Sequence, residues 1–220
     1  ERARQRLALE ACMRTAIERH ELRLAFQPCL DAQTGALVSV EGLLRWTHPQ
    51  LGAVTPAQFI PIAEETRLII PIGAWVIDAA CRQLARWRDD ELGELRMSIN
   101  LSAIQLRDAD IVDTLRRSLA MHGVAPQRLE LEITETVLMD SAENYLEAIR
   151  AIRALGVNLQ HRAIRLMEPG DDDDLVADLQ PVDGRGRPGL DVKPGIGRPL
   201  FPLARRLGPR LQVGSDHADR

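Results

Sequence analysis

The sequence predicts an α/β chain whose strands are mostly parallel and are entered through an antiparallel hairpin. Three observations point there. Two apolar runs, Leu22–Cys29 and Ala36–Leu44, are separated only by Leu30 and the turn Asp31–Gly35, and so short a join excludes a parallel return. From Leu95 onward, strand-like and helix-like segments alternate with short joins, the pattern of a parallel layer or barrel. In three of the strands one face is polar and ends in an oxygen ligand, as it does where parallel α/β folds build sites at strand C-terminal ends.

In chain order, residues 2–19 read as an amphipathic helix, with Leu7, Leu9, Cys12, Met13 and Ile17 at helical spacing. The two hairpin strands follow. Thr55 caps a short helix that begins at Pro56, with Gln58 three residues on. A longer helix is expected at Ala74–Trp87, because Pro71 and Gly73 interrupt the apolar run Leu68–Ile77. Strand Leu95–Leu101 leads to helix Asp108–Met121, and strand Arg128–Thr134 to helix Ser141–Leu155. Gly156 stands where a left-handed C-terminal cap belongs, and Val157–Leu159 starts another strand.

Bulk properties narrow the function classes. A net charge of −4 gives no basic footprint, so long nucleic acid is not an expected partner. Cys12, Cys29 and Cys81 lack CxxC spacing, which fits a reducing compartment and a cytoplasmic location. The run Leu68–Ile77 is about half of the ~20 residues that a membrane span needs, and no signal peptide is visible. The chain begins with Glu1, which fits a piece of something longer. His48, His122 and the other histidines show no paired spacing and read as surface residues. Trp46, Trp75 and Trp87 read as packing residues.

The motifs are EGLLRW at Glu41–Trp46, SINLS at Ser98–Ser102 and LELEITET at Leu129–Thr136. Strand alternation places Ser39, Glu41 and Leu43 opposite Val38 and Val40. It places Ser98, Asn100 and Ser102 opposite Met97, Ile99 and Leu101, and Glu130, Glu132 and Thr134 opposite Leu129, Leu131 and Ile133. Each motif alone also fits a half-exposed strand with solvated acids. Parallel sheets, however, are covered on both faces, so inward polar groups need partners, and a metal is one. Two carboxylates and an amide oxygen suit a hard divalent cation, Mg²⁺ or Mn²⁺.

With LRLAFQP at Leu22–Pro28 and PAQFIPIAEETRLI at Pro56–Ile69, these motifs resemble the EAL-domain family of cyclic di-GMP phosphodiesterases across residues 5–160. The family carries alanine in the middle of its name motif, where this chain has Gly42. The resemblance implies a modified TIM (β/α)8 barrel with an antiparallel first strand. It implies Glu41, Asn100 and Glu132 as metal ligands, Glu41 and Glu132 with Glu135 as the catalytic set, and Gln27, Leu43 and Arg45 as contacts to the dinucleotide. Arg45 would pair a phosphate, and Glu135 would brace the loop bearing the family's aspartate pair. The implied chemistry is metal-assisted hydrolysis of cyclic di-GMP to the linear dinucleotide. An upstream GGDEF or sensory domain, and a homodimer, are further family features.

The resemblance stops at Gln160. LGVNLQ (Leu155–Gln160) is followed by HRAIRLMEPGDDDD, and DDFGTG occurs nowhere. The run Asp171–Asp174 has no apolar strand before it and reads as solvated charge. Lys193 in DVKPG carries no assigned role. Residues 161–220 hold seven of the 13 prolines and eight of the 15 glycines, the composition of an irregular tail that cannot complete a barrel. The expected organisation is therefore a helical lead-in over 1–19, the first part of an EAL-type barrel over 20–160, and a non-matching tail over 161–220. Such a chain is expected to be inactive in hydrolysis. The alternative function is a degenerate EAL domain that binds cyclic di-GMP or a protein without cleaving it. Lys193 is the single lysine, a bias that fits GC-rich codons, and out-of-frame translation of such codons would produce this tail. Finding no DDFGTG in either other frame of the coding DNA would dismiss that origin.

Overall fold

The computed structural model describes residues 2–31, 33–88, 92, 95–133 and 143–161. Their order is α1 (Arg2–Met13), β1 (Leu22–Leu30), β2 (Leu37–His48), β3 (Gly52–Val54), α2 (Pro56–Glu65) and α3 (Ile69–Arg88). There follow β4 (Arg96–Leu101), α4 (Ala103–Leu106), α5 (Ile111–His122), a 3₁₀ turn (Pro126–Arg128), β5 (Leu129–Ile133), α6 (Glu143–Ala154) and β6 (Asn158–His161). The expected tail, and with it Asp171–Asp174 and Lys193, lies outside the described residues.

The sheet runs β1-β2-β4-β5-β6, with β3 paired to β2. β1 and β2 are antiparallel, while β2–β4, β4–β5 and β5–β6 are parallel. This is the expected hairpin entry into a parallel layer. Among the described residues β1 and β6 end the main path of the sheet, and β3 is a short edge on β2. The apolar parity predicted from the sequence packs under the helices: Met97, Ile99, Leu129 and Leu131 are at most 1% exposed. They share one core with Ile77 and Leu84 of α3, Leu115 of α5 and Ile152 of α6. Trp46 and Trp87 belong to that core, edge-on to Phe59 and Phe26 respectively.

Several boundaries differ from expectation, each for a local reason. α1 ends at Met13, not at residue 19. The chain continues in turns to His20, whose φ of 55° is left-handed. There Glu21 N–H donates to Ala16 O and His20 N–H to Ile17 O, the paired bonds of a Schellman cap. α3 starts at Ile69, five residues before the expected Ala74. Pro71 falls in its first turn, where a missing N–H costs nothing. β2 runs on to His48 because β3 pairs with it. His48 is buried, not a surface residue; its Nδ1 accepts from Gln50 N–H and Leu51 N–H. Gly156 has a φ of 87° and closes α6, as its position predicted.

Gly73 admits α4 against α3. A Cβ there would lie 1.6 Å from Gln105 Nε2. Gln105 is 5% exposed, and its Oε1 accepts from Ser102 N–H at 3.0 Å while its own N–H donates to Ser102 Oγ. Alanine at 73 must expel that amide. Loss of a buried side-chain hydrogen bond costs ~1–3 kcal/mol, against ~1 kcal/mol gained in helix propensity. Gly73→Ala is therefore expected to destabilise the chain by up to about 2 kcal/mol in urea denaturation. The penalty should vanish in a Gln105→Ala background; a Gly73→Ala variant more stable than wild type would contradict this packing.

Candidate metal and nucleotide site

The sheet's other face is polar, and strand register assembles it. Gln27 pairs across from Glu41, and Ala25 from Leu43. Glu41 is level with Ser98, Ser98 with Glu130, and Asn100 with Glu132. Cross-strand partners project to the same face, so Gln27, Glu41, Asn100 and Glu132 share it. Asn100 Nδ2 donates to Glu41 Oε1 at 2.8 Å, joining two strands that are 59 residues apart in sequence. Glu41 and Glu132 are half-buried, and Asn100 is exposed. Glu135 lies outside the described residues.

Leu43 and Arg45 stand further along β2 on the same parity, both half-buried. With Gly42, Asn100 and Gln105 they line a cavity of about 330 Å³ at the C-terminal ends of β2 and β4, whose other walls are mostly apolar side chains of α2 and α3, with Glu64 among them. One guanidinium nitrogen of Arg45 donates to Leu44 O at 3.2 Å. Gly42 faces the helices, where a Cβ would stand 3.1 Å from Ile99 Cγ2 and 3.3 Å from Met97 Sδ. Glycine thus relieves a tight approach between β2 and β4 without touching the polar face.

Two carboxyls around this face are shifted. Burial raises the Glu130 carboxyl above its usual range; Arg96 opposes the shift and Glu132 adds to it. Burial also raises Glu64. Glu64 stands in the PAQFIPIAEETRLI segment, where nothing in the residue pattern assigns it a role. A raised carboxyl means that the folded chain holds the proton more tightly. Stability then falls as pH rises from the unfolded value through the raised folded one, and stays lower above it. Glu64→Gln is expected to be more stable than wild type at pH 7, with the advantage gone below about pH 4 in paired denaturation curves. An advantage that persists at pH 3 would contradict the burial argument.

The three cysteines are free, and burial with Asp78 nearby pushes the Cys81 thiol up to about 12. Among the described residues no three His, Cys, Asp or Glu side chains converge as a metal cluster. The ligand set expected from the sequence, Glu41, Glu132 and Asn100, would offer a cation two carboxylates and one amide oxygen. That donor set is hard and oxygen-only, and it suits Mg²⁺ or Mn²⁺ better than zinc. No helix among the described residues is long and apolar enough to cross a membrane.

Comparison with known proteins accords with this architecture. Over 157 residues the chain is 43% identical to the bifunctional diguanylate cyclase/cyclic di-GMP phosphodiesterase MucR of Pseudomonas aeruginosa, covering 71% of this chain and 23% of that protein. The solved MucR phosphodiesterase in complex with c-di-GMP superposes with a TM-score of 0.66 at 43% identity, covering 69% of this chain and 62% of that one. The FimX EAL domain of Xanthomonas citri, also bound to c-di-GMP, gives 0.63 at 26% identity, covering 72% and 62%. The chain spans under a quarter of the first curated relatives it matches. Its sheet is that part of a TIM-barrel-like fold which these neighbours share. The EAL domain family itself matches residues 10–160, and this chain belongs to it.

Proposed function

We propose that this chain is a cyclic di-GMP-binding domain of phosphodiesterase descent that holds a divalent cation but does not turn the dinucleotide over. The observation that carries the reading is the Asn100–Glu41 hydrogen bond, 2.8 Å across β4 and β2, on the face that Glu132 shares. It draws together two of the three expected ligands on a rigid sheet. MucR and FimX, which the chain resembles, are both described with c-di-GMP bound.

In this reading Glu41 and Glu132 supply charge, and Asn100 supplies a neutral oxygen. The Asn100 Nδ2 bond to Glu41 fixes the rotation of both side chains before a ligand arrives. A divalent cation, Mg²⁺ or Mn²⁺, would neutralise phosphate charge and acidify water there. Arg45 would pair a phosphate, Leu43 would pack against the nucleoside, and Gln27 would hydrogen-bond from β1. Glu135 would brace the segment after β5. Residues 161–220 contain no DDFGTG, so the chain lacks the acids that place a second cation and the attacking water. Binding without cleavage is the consequence.

Calorimetric titration of the 220-residue chain with cyclic di-GMP in Mn²⁺ buffer tests this. Saturable binding is expected, weakened about tenfold or more by Arg45→Ala through loss of a charge-assisted phosphate contact. Absence of binding by wild type, or an unchanged affinity in Arg45→Ala, would overturn the assignment.

A further inference from the structure

β2 pairs with β4 only over Ser39–Gly42. Beyond Gly42 its end is an arm outside the parallel layer, held by β1 on one side and by β3 on the other. Leu43 and Arg45 stand on that arm. At its far end, Glu21 Oε2 accepts from Trp46 Nε1 at 3.0 Å, and Glu21 O accepts from Thr47 N–H at 3.0 Å. Glu21 N–H donates to Ala16 O at 3.0 Å. One residue thus links the arm, through two bonds, to the helical lead-in, through a third.

The side chain itself is an unusual choice for a strut. Glu21 is 8% exposed, and its Oε1 has no hydrogen-bond partner among the described residues. A buried carboxylate with a single neutral donor is unfavourable, and so is an acid at a helical C-terminal cap. Its one evident yield is geometric. The acceptor holds the Trp46 indole, 1% exposed and edge-on to Phe59 at 5.7 Å. Neighbouring strand residues face opposite ways, so fixing Trp46 on the helix side sets the direction of Arg45 on the polar side.

We infer that Glu21 is a positioning residue for Arg45, acting through the Trp46 indole. As a contribution to ligand binding the inference rests on the reading of Arg45 as a phosphate contact; as a statement about geometry it does not. The 220-residue chain and its Glu21→Ala, Glu21→Gln and Trp46→Phe variants are compared by three readouts. These are the ¹⁵N–¹H signal of the Arg45 guanidinium, cyclic di-GMP affinity and Mn²⁺ affinity. Glu21→Ala and Trp46→Phe are expected to shift or broaden the Arg45 signal and to weaken the dinucleotide about tenfold. Mn²⁺ affinity should stay within about twofold, because the cation's ligands lie on the paired part of the sheet. Glu21→Gln keeps the acceptor and should match wild type in all three. An unmoved Arg45 signal in both Glu21→Ala and Trp46→Phe would overturn the inference, as would Glu21→Gln behaving like Glu21→Ala. Parallel loss of Mn²⁺ and dinucleotide binding would reduce Glu21 to a structural role and overturn it too. If wild type binds no cyclic di-GMP, the site reading falls, and the Arg45 signal still decides whether Glu21 positions it.

Discussion

Glu41→Ala is expected to weaken Mn²⁺ binding by about 100-fold or more while leaving the fold intact. In the proposed site Glu41 is one of two carboxylate ligands, and its Oε1 accepts from Asn100 Nδ2, which orients the neutral ligand. Its replacement removes a charged donor and unlocks a neighbour together. Losing a supporting hydrogen bond alone costs metal sites about 10–100-fold, so losing a ligand that is also a support should exceed that range. Stability should change by about 1 kcal/mol at most, because the side chain is half-buried and packs no core. Measurement of Mn²⁺ affinity beside a urea denaturation curve separates the two effects. Retained affinity would mean that the cation sits elsewhere.

Leu131→Ala should do the reverse. Leu131 is 0% exposed, on the strand between β4 and β6, level with Ile99 and Leu159 and facing the helix layer. Truncating such a side chain typically costs 2–5 kcal/mol, in transfer free energy plus the cavity left behind, roughly a third of a domain's whole stability. The next residue, Glu132, points the other way on the same strand. Leu131→Ala is therefore expected to lose stability and keep Mn²⁺ affinity in the remaining folded fraction, and Glu132→Ala to lose affinity and keep stability. Two adjacent substitutions with opposite phenotypes test the strand parity itself. Equal losses in both properties for both variants would contradict it.

Much of this organisation was legible from residue pattern alone. A five-residue turn between two apolar runs required the β1–β2 hairpin, and period-two alternation put Glu41, Asn100 and Glu132 on one parity. What stayed hidden depended on contacts distant in sequence. The start of α3 was misplaced because Pro71 and Gly73 look like breakers. The first is harmless in a first turn, and the second is needed for the approach of Gln105, 32 residues away. β3 and the extension of β2 to His48 exist only through their mutual pairing. A three-residue strand carries too little periodicity to be seen beforehand. His48 looked like a surface residue because nothing local announces that its Nδ1 will cap a turn. Glu64 could have been found as an acid flanked by apolar helix positions, but its place in the cavity comes from α2 packing over the strand ends. Nothing local marks Glu21; the structure sets its carboxylate on Trp46, 25 residues later.

The proposed recognition of cyclic di-GMP without cleavage has two halves, and one ³¹P NMR experiment addresses both. The dinucleotide is incubated with the purified 220-residue chain and Mg²⁺, the diamagnetic choice for NMR, and its phosphorus spectrum is followed over time. The cyclic diester resonance is expected to shift or broaden as protein is added, with no terminal phosphomonoester signal growing. A growing monoester signal would show hydrolysis, so that residues 1–220 suffice for turnover. A diester resonance unchanged at saturating protein would show that the polar face of this sheet does not take the dinucleotide.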